Sequence, residues 1–123
     1  MTSVMTAPPT RHAIWAPPTA SAVVWVDEAE AIVAVADHTG HIDVTGILCP
    51  VSGPDARTWY IRRIVARTGR RDRVLILGPD RARLDVEREY VFQFGRPDRL
   101  IDVEPADAME RHEVVKRLHE LAA

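Results

Sequence analysis

The N-terminal half of the chain alternates short β-rich runs with polar turns. Residues 22–26 and 31–36 are apolar and rich in β-branched side chains, and the polar segment 27–30 joins them as a hairpin turn would. After a second turn at 37–40, residues 41–47 alternate polar and apolar side chains in the manner of a half-buried strand. This pattern predicts three antiparallel strands in a meander.

The C-terminal half predicts helices that alternate with strands. Helices are expected over 55–68, 80–94 and 106–122, and strands over 73–78 and 99–104. The order strand, helix, strand implies a right-handed crossover and parallel pairing. We therefore expect an α/β fold: a single-domain mixed β-sheet, in which an antiparallel three-strand meander is followed by parallel β-α-β units, covered by about three helices in a ribonuclease-H-like or translational-component-like arrangement.

Four residues mark the expected helix ends. Gly69 is placed to end the first helix, since glycine readily adopts the conformation that follows a last helical turn. Pro79 and Asp80 are expected in the first turn of the second helix. Asp107 is expected to cap or favour the start of the third helix.

Length and composition set the expected domain organisation. The 123 residues suit one compact domain, with 1–20 as a flexible proline-containing tail and 21–123 as a single α/β domain. Apolar residues at 46% and charged residues at 28% are ordinary values for globular proteins. No run approaches the roughly 18 apolar residues of a spanning helix, and the N-terminus lacks a secretory pattern. We expect a cytoplasmic protein without a membrane partner.

Arginine is concentrated in one segment, residues 57–73, which holds seven arginines. The only acids between positions 55 and 73 are Asp55 and Asp72. The local charge of +5 stands in a chain whose net charge is −2, so an anionic partner is expected. The i, i+4, i+7 spacing of Arg63, Arg67 and Arg70 predicts an exposed stripe. The candidate site for RNA or another polyanion consists of Arg57, Arg62, Arg63, Arg67, Arg70 and Arg71.

The same arginines also fit a solvated helix face whose side chains pair with acids of the next helix, namely Asp85, Glu87 and Glu89. Trp59 and Tyr60 are the only aromatic residues beside the cluster, and at least one is expected to face the core, so we expect no stacking platform of the kind found in single-strand binders. Two functions stay open: a module that binds RNA or the ribosome, and a homodimeric protein-interaction domain that uses sheet edges and the N-terminal tail.

No set of residues predicts catalysis, a cofactor or a metal site. His38 and His41 flank a turn and lack the helical spacing and further ligands of a zinc motif, so both are expected at the surface. His112 and His119 are also expected at the surface, and Cys49 as a buried thiol. No serine lies in a readable context with a histidine and an acid, so an enzyme is the least supported class.

Three short motifs carry a family resemblance. They are a Val-Trp-Val-Asp-x-x-x-Ala hairpin at 24–31, a Gly-x-x-x-Arg loop into an aromatic and arginine-rich helix at 53–63, and a Leu-Gly-Pro strand end at 77–79. With the order of elements, they make residues 22–122 resemble the middle domain of class 1 eukaryotic and archaeal peptide release factors and, more closely, its bacterial release-factor-like relatives. The resemblance implies RNA contact by the arginines that match family positions: Arg57, Arg62, Arg63 and Arg67.

The loop before the arginine helix departs from that family. In the family it carries a Gly-Gly-Gln tripeptide, which enters the peptidyl-transferase centre of the ribosome and helps water attack the ester bond of peptidyl-tRNA. Here the loop reads Val51-Ser52-Gly53-Pro54-Asp55, without glutamine. The proline removes a backbone donor, and the aspartate puts negative charge where RNA would lie. We therefore expect a non-catalytic binding module of release-factor-like fold.

Overall fold

A computed structural model describes residues 20–122, which form a five-stranded mixed sheet with helices on both faces. The strands are β1 (Ser21–Val26), β2 (Glu30–Ala36), β3 (Ile42–Leu48), β4 (Arg73–Gly78) and β5 (Leu100–Pro105). Their order across the sheet is β3-β2-β1-β4-β5, with β1, β2 and β3 antiparallel and both β4 and β5 parallel to β1. The predicted meander and the parallel units that follow it are confirmed. The tail predicted for 1–20 lies outside the described residues, except for Ala20.

Three helices cover the sheet: α1 (Ala56–Thr68), α2 (Ala82–Phe94) and α3 (Arg111–Ala122), and a short 3₁₀ turn (Pro97–Arg99) precedes β5. On one face α1 packs over β2 and β3, while α2 packs over β4 and β5. On the other face α3 packs over β1 and β2. None of the helices within 20–122 is long and apolar enough to span a membrane.

Strand β1 lies at the centre of the sheet, and all six of its residues are buried. Val24 faces the cluster under α1 and α2, and Val23 faces the cluster under α3. A strand buried on both faces needs a continuous apolar run instead of an alternating one, which is what this segment of the sequence supplies. Trp25 extends the second cluster, and its indole N–H donates to the carbonyl oxygen of Asp107 at 2.9 Å.

The helix ends confirm one expectation and correct two. Gly69 ends α1 with a φ of 68°, and its N–H donates to the carbonyl of Val65. Helix α2 begins at residue 82 and not at 80. Asp80 accepts the N–H of Ala82 through its side chain at 3.0 Å, so it serves the helix start from outside, and Pro79 lies in the turn before it.

The start expected for α3 near Asp107 is wrong, because the helix begins at residue 111. The carbonyl of Asp107 is taken by the Trp25 indole, and Ala106 donates its N–H to Gly78, so this segment is held against the sheet as an irregular connection. The helix start is served by Glu113, whose carboxylate accepts the N–H of Glu110 at 2.8 Å. This contact is one half of a capping box.

Candidate nucleic-acid interface

Helix α1 presents the arginines because its apolar period buries the opposite side. Its buried residues recur at helical spacing and face the sheet: Tyr60, Ile61, Ile64, Val65 and Thr68. The hydroxyl of Tyr60 donates to the carbonyl of Asp27 at 2.9 Å, which fixes α1 against the first hairpin. The side left to solvent carries Trp59, Arg62, Arg63, Ala66 and Arg67.

Three exposed arginines, which we call the free stripe, have no acidic partner among residues 20–122. They are Arg63, Arg67 and Arg70. The guanidinium carbon of Arg63 lies 5.9 Å from the centroid of the Trp59 ring, and that of Arg70 lies 5.3 Å from the centroid of Phe94. Arg67 donates from Nε to the hydroxyl of Thr45 on β3 at 2.7 Å. Among the described residues no carboxylate lies within 4.0 Å of these three guanidinium groups, so their charges are not neutralised.

Arg57 is exposed but pairs with two acids of the same chain. Its guanidinium bridges Glu28, in the turn between β1 and β2, and Asp85 on α2. The hydrogen bond to Asp85 and then the one to Glu28 raise the pKa of Arg57 above its ordinary value. This side chain therefore ties the first hairpin to α1 and α2. The pairing with Asp85 is the kind that the solvated-face interpretation predicts.

The two remaining candidates are Arg71, which is hydrogen-bonded to the protein backbone, and Arg62, which is weakly paired and exposed. Arg71 donates from Nε to the carbonyl of Thr68 at 2.8 Å, and its own carbonyl accepts Arg99, so it holds the connection between α1 and β4. Arg62 is exposed, and its Nε lies 3.9 Å from a carboxylate oxygen of Glu89. At that distance the pair is weak and open to solvent. Arg62 remains available to an external anion.

Trp59 is an exposed aromatic residue that the sequence analysis did not assign to the candidate site. Its side chain is 47% exposed, whereas the neighbouring Tyr60 is buried. The tryptophan lines a cleft of about 560 Å³ on the surface of α1, together with Asp55, Thr58, Arg62 and Arg63. The signal was present in the helical period, because position 59 shares a face with 62, 63 and 66.

The loop before α1 borders this cleft. Residues 51–55 are all exposed, and Gly53 adopts a φ of 115°, which favours glycine. The carbonyl of Asp55 accepts the N–H of Trp59 at 2.9 Å, but its side chain makes no capping hydrogen bond. The Asp55 carboxylate therefore stands at the rim of the cleft as an acceptor.

Three solved structures share this architecture. Pelota from Archaeoglobus fulgidus matches 92% of the chain with a TM-score of 0.58 at 11% identity, over 36% of its own length. The archaeal translation termination factor aRF1 matches 82% with a TM-score of 0.56 at 10% identity, over 34% of its length. Pelota from Thermoplasma acidophilum matches 82% with a TM-score of 0.54 at 25% identity, over 32% of its length.

The chain has a release-factor-like fold. It spans about a third of each of these solved proteins, so the release-factor-like fold corresponds to only part of them. No family model matches the chain, and no curated protein sequence matches it significantly.

The remaining candidate residues of this release-factor-like fold form no second site. His38 lies in the turn before β3 with Nε2 2.9 Å from Asp72, and His41 lies 3.5 Å from Asp43. Across 20–122 no group of three or more histidines, cysteines and acids is arranged to hold a metal ion. His112 and His119 are exposed, as predicted. Cys49, predicted to be buried, is only half-buried at the edge of the core.

Proposed function

We propose that this release-factor-like domain is a non-catalytic binding module that contacts RNA, in a translation-linked setting such as the ribosome, through the exposed side of α1. The observation that carries the proposal is the free stripe: three exposed arginines, two on α1 and one just beyond its end, without a carboxylate within 4.0 Å in the described part of the chain. Arg62 joins them, whereas Arg57 and Arg71 serve internal contacts and are left out of the proposed interface.

Unneutralised guanidinium groups suit a phosphate backbone. A guanidinium presents a planar fork of donors that pairs with phosphate oxygens, and it keeps its charge at every physiological pH. Arg63 and Arg67 are one helical turn apart, about 6 Å along the axis, so each can reach a different phosphate of one strand. Each such contact releases counterions from the nucleic acid, which makes the affinity dependent on salt.

The loop at 51–55 supports a binding role without hydrolysis. In the proposed correspondence with the middle domain of release factors, this loop stands where that family carries Gly-Gly-Gln, and it contains no glutamine. Its one carboxylate, that of Asp55, would repel phosphate. The translation termination factor among the solved structures of similar fold supports a translation-linked partner.

Co-sedimentation with ribosomes and with bulk RNA at low and moderate salt tests the proposal. The variant Arg63→Gln/Arg67→Gln/Arg70→Gln removes the free stripe, and Arg81→Gln/Arg111→Gln/Lys116→Gln removes three exposed charges, one just before α2 and two on α3, as a matched control. We expect the wild type and the control to pellet with RNA at low salt and the stripe variant to stay in the supernatant. Equal pelleting of all three proteins would contradict the proposal.

A homodimeric interaction domain is the second candidate, and one observation favours it. Strand β3 lies at the edge of the sheet; its last residue, Leu48, is 73% exposed, and Val51 in the loop that follows is fully exposed. Exposed strand edges and apolar side chains are common features of interfaces. In this case light scattering should show a mass of two chains that falls to one in Leu48→Glu and is indifferent to salt. A single-chain mass at all concentrations would remove this candidate.

A further inference from the structure

We infer that the cleft beside Trp59 binds one unpaired nucleotide of single-stranded RNA, with the base stacked on the indole of Trp59 and its phosphate held by Arg62 and Arg63. The inference rests on the proposed function, because it concerns the same side of α1. It adds the class of ligand and an aromatic contact that the arginine stripe alone does not require.

The exposure of Trp59 is not explained by packing. The cluster under α1 is made by its buried neighbours, among them Tyr60, Ile61 and Ile64, and does not include Trp59. Nearly half of the tryptophan surface stays in water, although burying a large aromatic side chain is favourable. Within the described residues, its ring contact is with the guanidinium of Arg63. The guanidinium of Arg63 covers part of the ring, and the exposed remainder of the side chain is left for a ligand.

Charge and size favour a nucleotide as that ligand. The cleft of about 560 Å³ falls within the range of small-molecule sites, roughly 300–1,000 Å³. Its walls carry two guanidinium groups, Arg62 and Arg63, which match the negative phosphate of one nucleotide. Every base has a π-face that can stack on the indole, and the arginine beside the ring adds a cation–π contact.

Asp55 gives the cleft a preference among bases. Its exposed carboxylate accepts hydrogen bonds, and adenine, cytosine and guanine can donate them from an exocyclic amino group, whereas uracil offers only its single ring N3–H. A second phosphate close to this carboxylate would be repelled. The expected occupant is therefore a base with an amino edge, oriented toward Asp55, and a phosphate on the arginine side.

An unpaired strand fits this surface better than a duplex. In a double helix the bases are stacked on each other, and the deep major groove of A-form RNA cannot be read by side chains. A duplex would offer the stripe only its phosphates, and Trp59 would contribute nothing. In a single strand a base can be splayed out onto the indole while the neighbouring phosphates remain on the arginines.

Fluorescence anisotropy of the full-length protein with labelled RNA tests the inference. The ligands are oligo(A) and oligo(U) of about eight nucleotides, and a hairpin duplex with the same number of phosphates. The variants are Trp59→Ala, Trp59→Phe, Asp55→Ala and the stripe variant Arg63→Gln/Arg67→Gln/Arg70→Gln. Phe92→Ala is the matched control, because Phe92 on α2 is 79% exposed and its substitution removes an exposed aromatic ring away from the cleft.

We expect Trp59→Ala to weaken oligo(A) binding about tenfold while duplex binding stays within about twofold of wild type. Trp59→Phe should keep most of the affinity, but the quenching of tryptophan fluorescence by oligo(A) should disappear. Asp55→Ala should reduce the ratio of the affinity for oligo(A) to that for oligo(U). Phe92→Ala should leave the affinities for all three RNAs unchanged. Unchanged thermal unfolding of Trp59→Ala verifies the fold of that variant.

The outcomes separate this inference from the proposed function. If Trp59→Ala binds oligo(A) like wild type while the stripe variant loses both ligands, the base site is wrong and the phosphate contacts stand. Equal losses of oligo(A) and duplex in Trp59→Ala would also overturn the base site. If the stripe variant binds like wild type, the proposed function is wrong. If the wild type binds no RNA, both fall.

Discussion

A Cβ atom on Gly78 would lie 2.1 Å from the carbonyl oxygen of Val26, so no other residue fits at the end of β4 without moving the backbone. Val26 ends β1 and Gly78 ends β4, the parallel pair at the centre of the sheet, and both strand ends are buried. Gly78→Ala should therefore lower the free energy of unfolding by about 3 kcal/mol, as overpacking does in well-packed cores. Urea denaturation followed by circular dichroism measures this loss.

Gly46→Ala is the control for that prediction. A Cβ on Gly46 would meet a guanidinium nitrogen of Arg111 at 2.7 Å, but this is the far end of a flexible side chain that can turn away. We expect a loss below about 1 kcal/mol. Equal losses in the two variants would show that the backbone contact between Gly78 and Val26 is not the cause.

Alkaline pH should destabilise the fold through Tyr60. Burial, followed by the nearby charge of Asp27, raises the pKa of this phenol far above its ordinary value, and its hydroxyl donates to the Asp27 carbonyl. An unfolded tyrosine loses its proton near pH 10, so above that pH the folded state binds more protons than the unfolded state. The stabilisation is complete below about pH 10 and decreases as the pH rises further.

Urea unfolding between about pH 8 and pH 11 checks the effect of Tyr60. Each pH unit above about 10 should lower the unfolding free energy by at most about 1.4 kcal/mol for this one phenol. Tyr60→Phe cannot ionise, so its unfolding free energy should decrease less steeply over the alkaline part of the range. Its stability near neutral pH should be lower, since the Asp27 carbonyl loses its donor. Identical alkaline slopes in the two proteins would contradict the assignment.

Arg57 and Arg63 should separate stability from RNA affinity. Arg57→Gln breaks the bridge to Glu28 and Asp85, and because these groups are partly solvated we expect a loss of about 1 kcal/mol in unfolding free energy. RNA affinity should stay within about twofold of wild type. Arg63→Gln should do the reverse, since its guanidinium pairs with no acid in the described part of the chain. Parallel effects in both assays would refute this division of roles.

The sheet and the first two helices could be predicted because their signals are local. The apolar run of β1, the short apolar run of β4 and the glycine after α1 each identify an element from its own residues. The start of α3 could not be predicted, because the Trp25 indole captures the carbonyl of Asp107 from 82 positions away. No pattern within residues 106–110 carries that information.

In the candidate site, too, features set by local sequence could be predicted, and features set by residues distant in sequence could not. The helical spacing of Arg63 and Arg67 is local, and both are exposed on α1, as that spacing predicts. Arg70 is exposed as well, but it lies beyond Gly69, where α1 ends. The ion pairing of Arg57 depends on Glu28 in the turn between β1 and β2. The spacing of residues along α1 carries no information about this contact. Trp59 is a different case: the sequence analysis expected at least one of Trp59 and Tyr60 to face the core, and Tyr60 does, while the period that exposes the arginines also exposes position 59.

Salt dependence provides the sharpest prediction for the proposed interface. For single-stranded nucleic acid the slope of log K against log salt is about −0.7 for each phosphate neutralised, so removing three phosphate contacts should reduce the slope by about 2. We expect this change in Arg63→Gln/Arg67→Gln/Arg70→Gln and not in Arg81→Gln/Arg111→Gln/Lys116→Gln, although both lose three positive charges. Titrations of oligo(A) binding over a series of salt concentrations measure both slopes. If the two variants share one reduced slope, only the total charge of the protein matters and the free stripe has no special role.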